Sequence, residues 1–100
     1  MEKKEIEIEW EGKKEKVVLR RLTWGEKNEL MKQVLGKIKI SGGKMPEIEI
    51  DIVKWRELVT LYSIESAPFE KTLENLRKLP ADVGEKLYRA AEELNPFLFV

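Results

Sequence analysis

One hundred residues with 42% hydrophobic content suit one compact domain and leave too little apolar material for a second core. Nineteen Lys+Arg balance nineteen Asp+Glu, twelve to ten in residues 1–50 and seven to nine in residues 51–100. Neither half is therefore a basic arm or an acidic tail, and no long-range field draws a polyanion.

Residues 3–22 read as an N-terminal β-hairpin. Ile6, Ile8 and Trp10 alternate with Glu5, Glu7, Glu9 and Glu11, the period-two pattern of a half-buried strand. A two-residue turn at Gly12-Lys13 predicts Ile8 opposite Val17 and Ile6 opposite Leu19 on the inner face. On the outer face it sets Glu11, Glu9 and Glu5 opposite Lys14, Lys16 and Arg20. Thr23-Trp24-Gly25-Glu26 then has the form of a capping box, opening a helix over 24–35. Leu30, Met31, Val34 and Leu35 form its apolar stripe, and Gly36 is its expected stop.

Lys37-Ile38-Lys39-Ile40 and Glu47-Ile48-Glu49-Ile50 suggest a second hairpin over 37–50, with Ile40 opposite Ile48 and Ile38 opposite Ile50. Ser41-Gly42-Gly43-Lys44-Met45-Pro46 supplies the loop. Asp51 is positioned to cap a helix over 52–64 whose apolar face is Ile52, Trp55, Leu58, Val59 and Tyr62. Ser66-Ala67-Pro68 ends that run. Thr72 begins a short helix over 72–79 carrying Leu73, Leu76 and Leu79. Pro80 fits the first turn of a last helix over 80–94, which buries Val83, Leu87, Ala90, Ala91 and Leu94 and stops at Asn95-Pro96. The expected fold is α+β: antiparallel hairpins packed on three to four helices in one domain, residues 1–100.

Catalytic and metal chemistry find little foothold. With no Cys and no His, disulfides, thiolate sites and the preferred ligands of zinc are missing. Glu47, Glu49 and Asp51 share one strand face as oxygen ligands for a hard cation would, but the paired Lys37 and Lys39 make an ion-pair ladder the simpler reading. No Ser or Thr has a His to activate it. Ser41-Gly42-Gly43-Lys44 lacks the spacing of a phosphate loop. The expectation is a non-enzyme with no cofactor. Nucleic acid binding needs unpaired cations on one face, and the hairpin register gives Lys14, Lys16 and Arg20 glutamate partners, so this reading is the alternative and not the first.

The positive expectation is a protein-interaction or assembly module, with a protein partner or self-association. Eight aromatic residues are a good supply for interface contacts. Phe97-Leu98-Phe99-Val100, entirely apolar, is the best single candidate surface; the competing reading folds it back on the domain as a final strand or plug. Seventeen of the nineteen acids are Glu, fourteen of the nineteen bases are Lys, and there is one Gln, the bias described for hyperthermophile proteins. The charged N-terminal residues contain no apolar signal region, and no apolar run approaches about twenty residues. A cytoplasmic protein is expected, with no membrane partner.

Val18-Leu19-Arg20-Arg21-Leu22-Thr23-Trp24-Gly25-Glu26 and its helix, with Leu76-Arg77-Lys78-Leu79-Pro80 leading to Leu87 and Leu94, resembles the small tail-assembly chaperones of long-tailed phages. The chain is also similar to small proteins of hyperthermophilic archaea, some of viral origin. The resemblance implies binding, not catalysis: the hydrophobic helices of a tape-measure protein would be coated and brought to tail-tube subunits. It places the relevant surface around Trp55, Leu58 and Tyr62 together with Phe97, Leu98, Phe99 and Val100.

Overall fold

The computed structural model describes residues 3–39 and 47–96, with side chains for 3–34 and 51–96. In chain order, β1 (Lys3–Trp10), β2 (Lys13–Arg20), α1 (Trp24–Val34), β3 (Leu35–Lys39) and β4 (Glu47–Ile50) come first. They are followed by α2 (Ile52–Ser63), β5 (Ile64–Ser66), α3 (Leu73–Arg77) and α4 (Ala81–Leu94). This is an α+β arrangement. Strands β1, β2 and β5 form one antiparallel sheet in that order, and β3 and β4 form a second, separate ribbon.

The first hairpin occupies the expected residues but in a different register. Its turn is Glu11-Gly12, both at positive φ (51° and 76°), so Ile6 faces Val17, Ile8 faces Glu15 and Glu7 faces Lys16. A turn with two left-handed residues matches the right-handed twist of the strands, and glycine is best suited to its second position. The shift is two residues, so every side chain keeps its face. Ile8, Val17 and Leu19 remain buried. Arg20, expected opposite Glu5, lies opposite Lys3 instead and pairs with Glu26.

Strand β5 is a departure from expectation. The sequence pattern carries the preceding helix to Ile64 and ends it from Ser66, yet Ile64 and Ser66 pair with Leu19 and Val18. This gives β2 a second neighbour and buries Ile64. The ribbon also departs from its expected register: Leu35 lies opposite Ile50 and Ile38 opposite Ile48, with an irregularity between them. Gly36 does not terminate α1 from outside but lies within β3. The reason is the tie at the ribbon's base, where the Asp51 amide donates to the Val34 carbonyl at 3.1 Å and starts the ladder directly at the helix end. Residue 40 and the loop to 46 lie outside the described residues, as does the pairing expected for Ile40.

Two apolar clusters hold the elements together. Ile8, Val17, Leu19 and Ile64 of the sheet pack with Phe69, Leu76, Leu79, Leu87, Ala90 and Leu94. Trp10 stacks obliquely on Phe69, ring centroids 5.2 Å apart. Leu22, Leu30 and Val34 pack with Trp55, Leu58 and Val59. Helix α2 thus lies between α1 and α4, and α4 rests on the sheet. Ile52, assigned to the apolar face of α2, is 53% exposed: it occupies the first helical position beside the ribbon, before the helix reaches its neighbours.

Caps behave as local chemistry dictates. Thr23 Oγ1 accepts from the Glu26 amide at 3.2 Å while Glu26 Oε1 accepts from the Thr23 amide at 2.9 Å, the reciprocal pair of a capping box. Asp51 caps α2 through the Lys54 amide at 3.0 Å, and Thr72 caps α3 through the Asn75 amide at 3.2 Å. Pro80 is the cap residue of α4 and not its first-turn residue, at φ −54° and ψ 145°. Its carbonyl accepts the first helical bond, from Gly84.

Candidate functional site

Of the residues expected to form an interaction surface, Trp55 is 1% and Leu58 6% exposed. Both are fully engaged in the cluster between α1 and α2, so neither is presented to a partner. Tyr62 is half-buried against the same cluster, and its hydroxyl accepts from the Gln33 amide group. Phe97, Leu98, Phe99 and Val100 lie outside the described residues. The conflict has a simple origin. One amphipathic face of α2 could serve either the core or a partner, and packing against α1 takes it.

What the fold opens to solvent lies on the other side of α2. Helices α2 and α4 run side by side in the same direction, with Arg56 paired to Glu85 near their starts and Ser63 meeting Asn95 at their ends. Between them, with α3 as a third wall, is a groove of about 270 Å³. Val53 and Thr60 of α2 line one side. Leu76 and Leu79 supply the α3 side, and Pro80, Ala81, Gly84 and Tyr88 the α4 side. Val53 stands 64% exposed at the groove. A Cβ added at Gly84 would meet no atom within 4 Å, so the space along α4 is open there.

Charged pairs fringe this apolar surface. Arg56 bonds Glu85 and lies over the Tyr88 ring, 4.8 Å from its centroid, a favourable stacking of cation on aromatic face. Arg77 Nε is 2.8 Å from Glu57. Burial pushes the Tyr88 hydroxyl pKa up, and the bond it donates to Glu92 adds to this. Tyr88 therefore stays neutral and serves as a packed wall with a polar tip.

Sequence reasoning missed this surface. It places Leu76 and Leu79 on a short packed helix, where both are indeed buried, and gives Val53 no role. The available signal was the small-residue spacing Ala81 and Gly84, three apart on α4 at the edge of its buried stripe, next to the Leu79-Pro80 step.

The arrangement is suited to admitting a side chain. Its volume falls slightly below the range of small-molecule pockets, and its rim is made of mutually neutralised pairs. Among the described residues no three carboxylates converge as a metal site, and no helix is long and apolar enough to cross a membrane. Asp51, one of the three acids considered for a cation, is engaged as the cap of α2. Compared with family models, with characterised proteins and with solved structures, the chain matches none, and the groove is interpreted from its own chemistry.

Proposed function

We propose that this protein is a non-catalytic protein-interaction module whose partner inserts an apolar side chain between α2, α3 and α4. The observation that carries this reading is the pairing of an open apolar groove with exposed Val53 and a rim of ion pairs. Apolar centre and polar edge is the usual anatomy of a protein interface. A protein partner is favoured over nucleic acid because Lys3, Lys4, Lys16, Arg20, Arg56, Arg77 and Lys78 each lie against a glutamate, and phosphate affinity draws on uncompensated cations. An assembly role of viral origin, as the resemblance implies, is the narrower form of the proposal; it rests on the Thr23–Glu26 cap and the Leu79-Pro80 entry to α4. A cytoplasmic setting belongs to it too, resting on the lack of any apolar run of about twenty residues, as does a hyperthermophilic archaeal source, resting on the amino-acid bias.

Gly84→Leu tests the groove directly, since the new side chain enters open space and leucine is a better helix former than glycine. Tagged wild-type protein should recover a protein partner from cells of the native organism, and Gly84→Leu should lose it with no fall in thermal stability. Recovery of nuclease-sensitive material, or a partner held equally by both proteins, would overturn the proposal.

A further inference from the structure

Strand β1 is an edge of its sheet, since the strand order is β1-β2-β5. The two-residue turn at Glu11-Gly12 makes Trp10 and Lys13 the first hydrogen-bonded pair of the hairpin, and antiparallel pairs alternate from there. Lys4, Ile6 and Ile8 therefore bond to β2, while the backbone N–H and C=O groups of Glu5, Glu7 and Glu9 point away from it along the open edge. Among the described residues no strand takes them up. Beside this edge lies α4, running in the opposite direction: Lys4 pairs with Glu93 near the helix end, and Glu9 and Gly12 lie near Pro80 and Asp82 at its start. Two hollows, of about 730 and 490 Å³, adjoin at Asp82 and Lys86 and follow the strand from Lys4 to Glu11. Ile6 and Val83, both only half-buried, form apolar parts of their floor.

We infer that this trough is a strand-addition site, in which an extended partner segment of alternating basic and apolar residues joins the sheet beside β1. The backbone of such a segment would complete the ladder that Glu5, Glu7 and Glu9 leave open, the source of affinity in strand addition, and its alternate side chains would supply the specificity. The fourteen residues of α4 rise about 21 Å, the span of about six extended residues. Side chains opposite Ile6 and Ile8 would point over the trough, onto Ile6 and Val83. Those opposite Glu5, Glu7 and Glu9 would stand on the outer face beside three exposed carboxylates. Lys16 lies 3.4 Å from Glu5, and among the described residues Glu7 and Glu9 have no ion-pair partner. Lysine or arginine at those places is therefore the complementary choice. A second copy joined through β1 is disfavoured by the same row, because an antiparallel pairing centred on Glu7 sets Glu7 against Glu7 and Glu5 against Glu9. The glutamates thus blunt the edge against self-association while leaving it open to a basic strand. This surface meets α4 along Asp82, Lys86 and Arg89, whereas the groove meets it along Ala81, Gly84 and Tyr88, so the inference stands independently of the groove.

The test is a titration of the full chain at low salt with a short capped peptide of alternating lysine and valine, followed through the protein's backbone amide resonances. Shifts are expected at Glu5, Glu7, Glu9, Lys86 and Arg89, with the same affinity in Gly84→Leu. The double variant Glu7→Gln, Glu9→Gln should weaken binding about threefold to tenfold at an unchanged thermal midpoint. Methylating the backbone nitrogens of the peptide's lysines, which face β1 in this register, should abolish binding. No shifts at β1, equal binding of a peptide alternating glutamate and valine, or full binding of the methylated peptide would overturn the inference. So would a dimer held through the edge of β1 without peptide, or binding that appears only once residues 97–100 are removed, since either result would mean that the edge already has an occupant.

Discussion

Asn95 carries more of the tertiary structure than its place at a helix end suggests. Its side chain accepts from the Leu22 amide and donates to the Ala91 carbonyl and Ser63 Oγ, so one residue joins the ends of α2 and α4 to the segment before α1. Asn95→Ala would leave the Leu22 amide without that acceptor, at a cost of about 1–3 kcal/mol for an unpaired buried donor. The expected result is a lower denaturant midpoint at unchanged slope. A loss below about 0.5 kcal/mol would place Asn95 among ordinary surface positions.

Glu26 offers a pH-dependent counterpart. The Arg20 guanidinium bonds both its oxygens, at 2.8 and 2.5 Å. That bond, assisted by the Thr23 amide and hydroxyl, lowers the Glu26 carboxyl to about 2 against the opposing effect of burial. The same contact holds the Arg20 pKa up. Because the folded pKa is depressed, this stability is fully present above the unfolded value of about 4.3 and lost as pH falls toward 2. Glu26→Gln retains a capping acceptor and removes the charge. It should cost about 1–2 kcal/mol at neutral pH, allowing for solvent around a pair about a third exposed. Denaturation measured across acidic pH should show the two proteins converging near pH 2; a constant gap would contradict the assignment.

At the scale of elements, the hairpin turn is where local and global demands can be separated. Both candidate turns use Gly12, but only the observed one puts Glu11 at positive φ. Glu11→Asn should therefore stabilise by about 0.5 kcal/mol, since Asn tolerates the left-handed region better than Glu. With Gly12-Lys13 as the turn, the same change would be neutral or unfavourable in an extended strand. Gly12→Ala should cost about 1–2 kcal/mol. Thermal midpoints of the two variants, moving in opposite directions, check the register without a new structure.

For the whole molecule, the ribbon of β3 and β4 is the most separable part. It shares no sheet with β1, β2 and β5, and the Val34 carbonyl already bonds the Asp51 amide across its base. A variant in which a short Gly-Asn-Gly linker replaces residues 35–50 should retain its helical circular dichroism and cooperative unfolding, losing no more than about 1–2 kcal/mol, the range of a tolerated surface change. Collapse of the helical signal would show the ribbon to be integral to the core.

The amino-acid order alone determined whatever depends on neighbours a few residues apart. Thr23, Asp51 and Thr72 cap helices because a side-chain oxygen reaches an amide two or three residues on, and Ile8, Val17 and Leu19 face inward because strands alternate with period two. Even the two-residue shift in register preserved those faces. Only the tertiary structure decided the pairing of β5 with β2, the Asn95 clasp to Leu22, the separation of the two sheets and which side of α2 stayed open. Each depends on groups dozens of residues apart. The alternatives differ by a few kcal/mol, which many distributed contacts decide together, so no short stretch of sequence records the outcome.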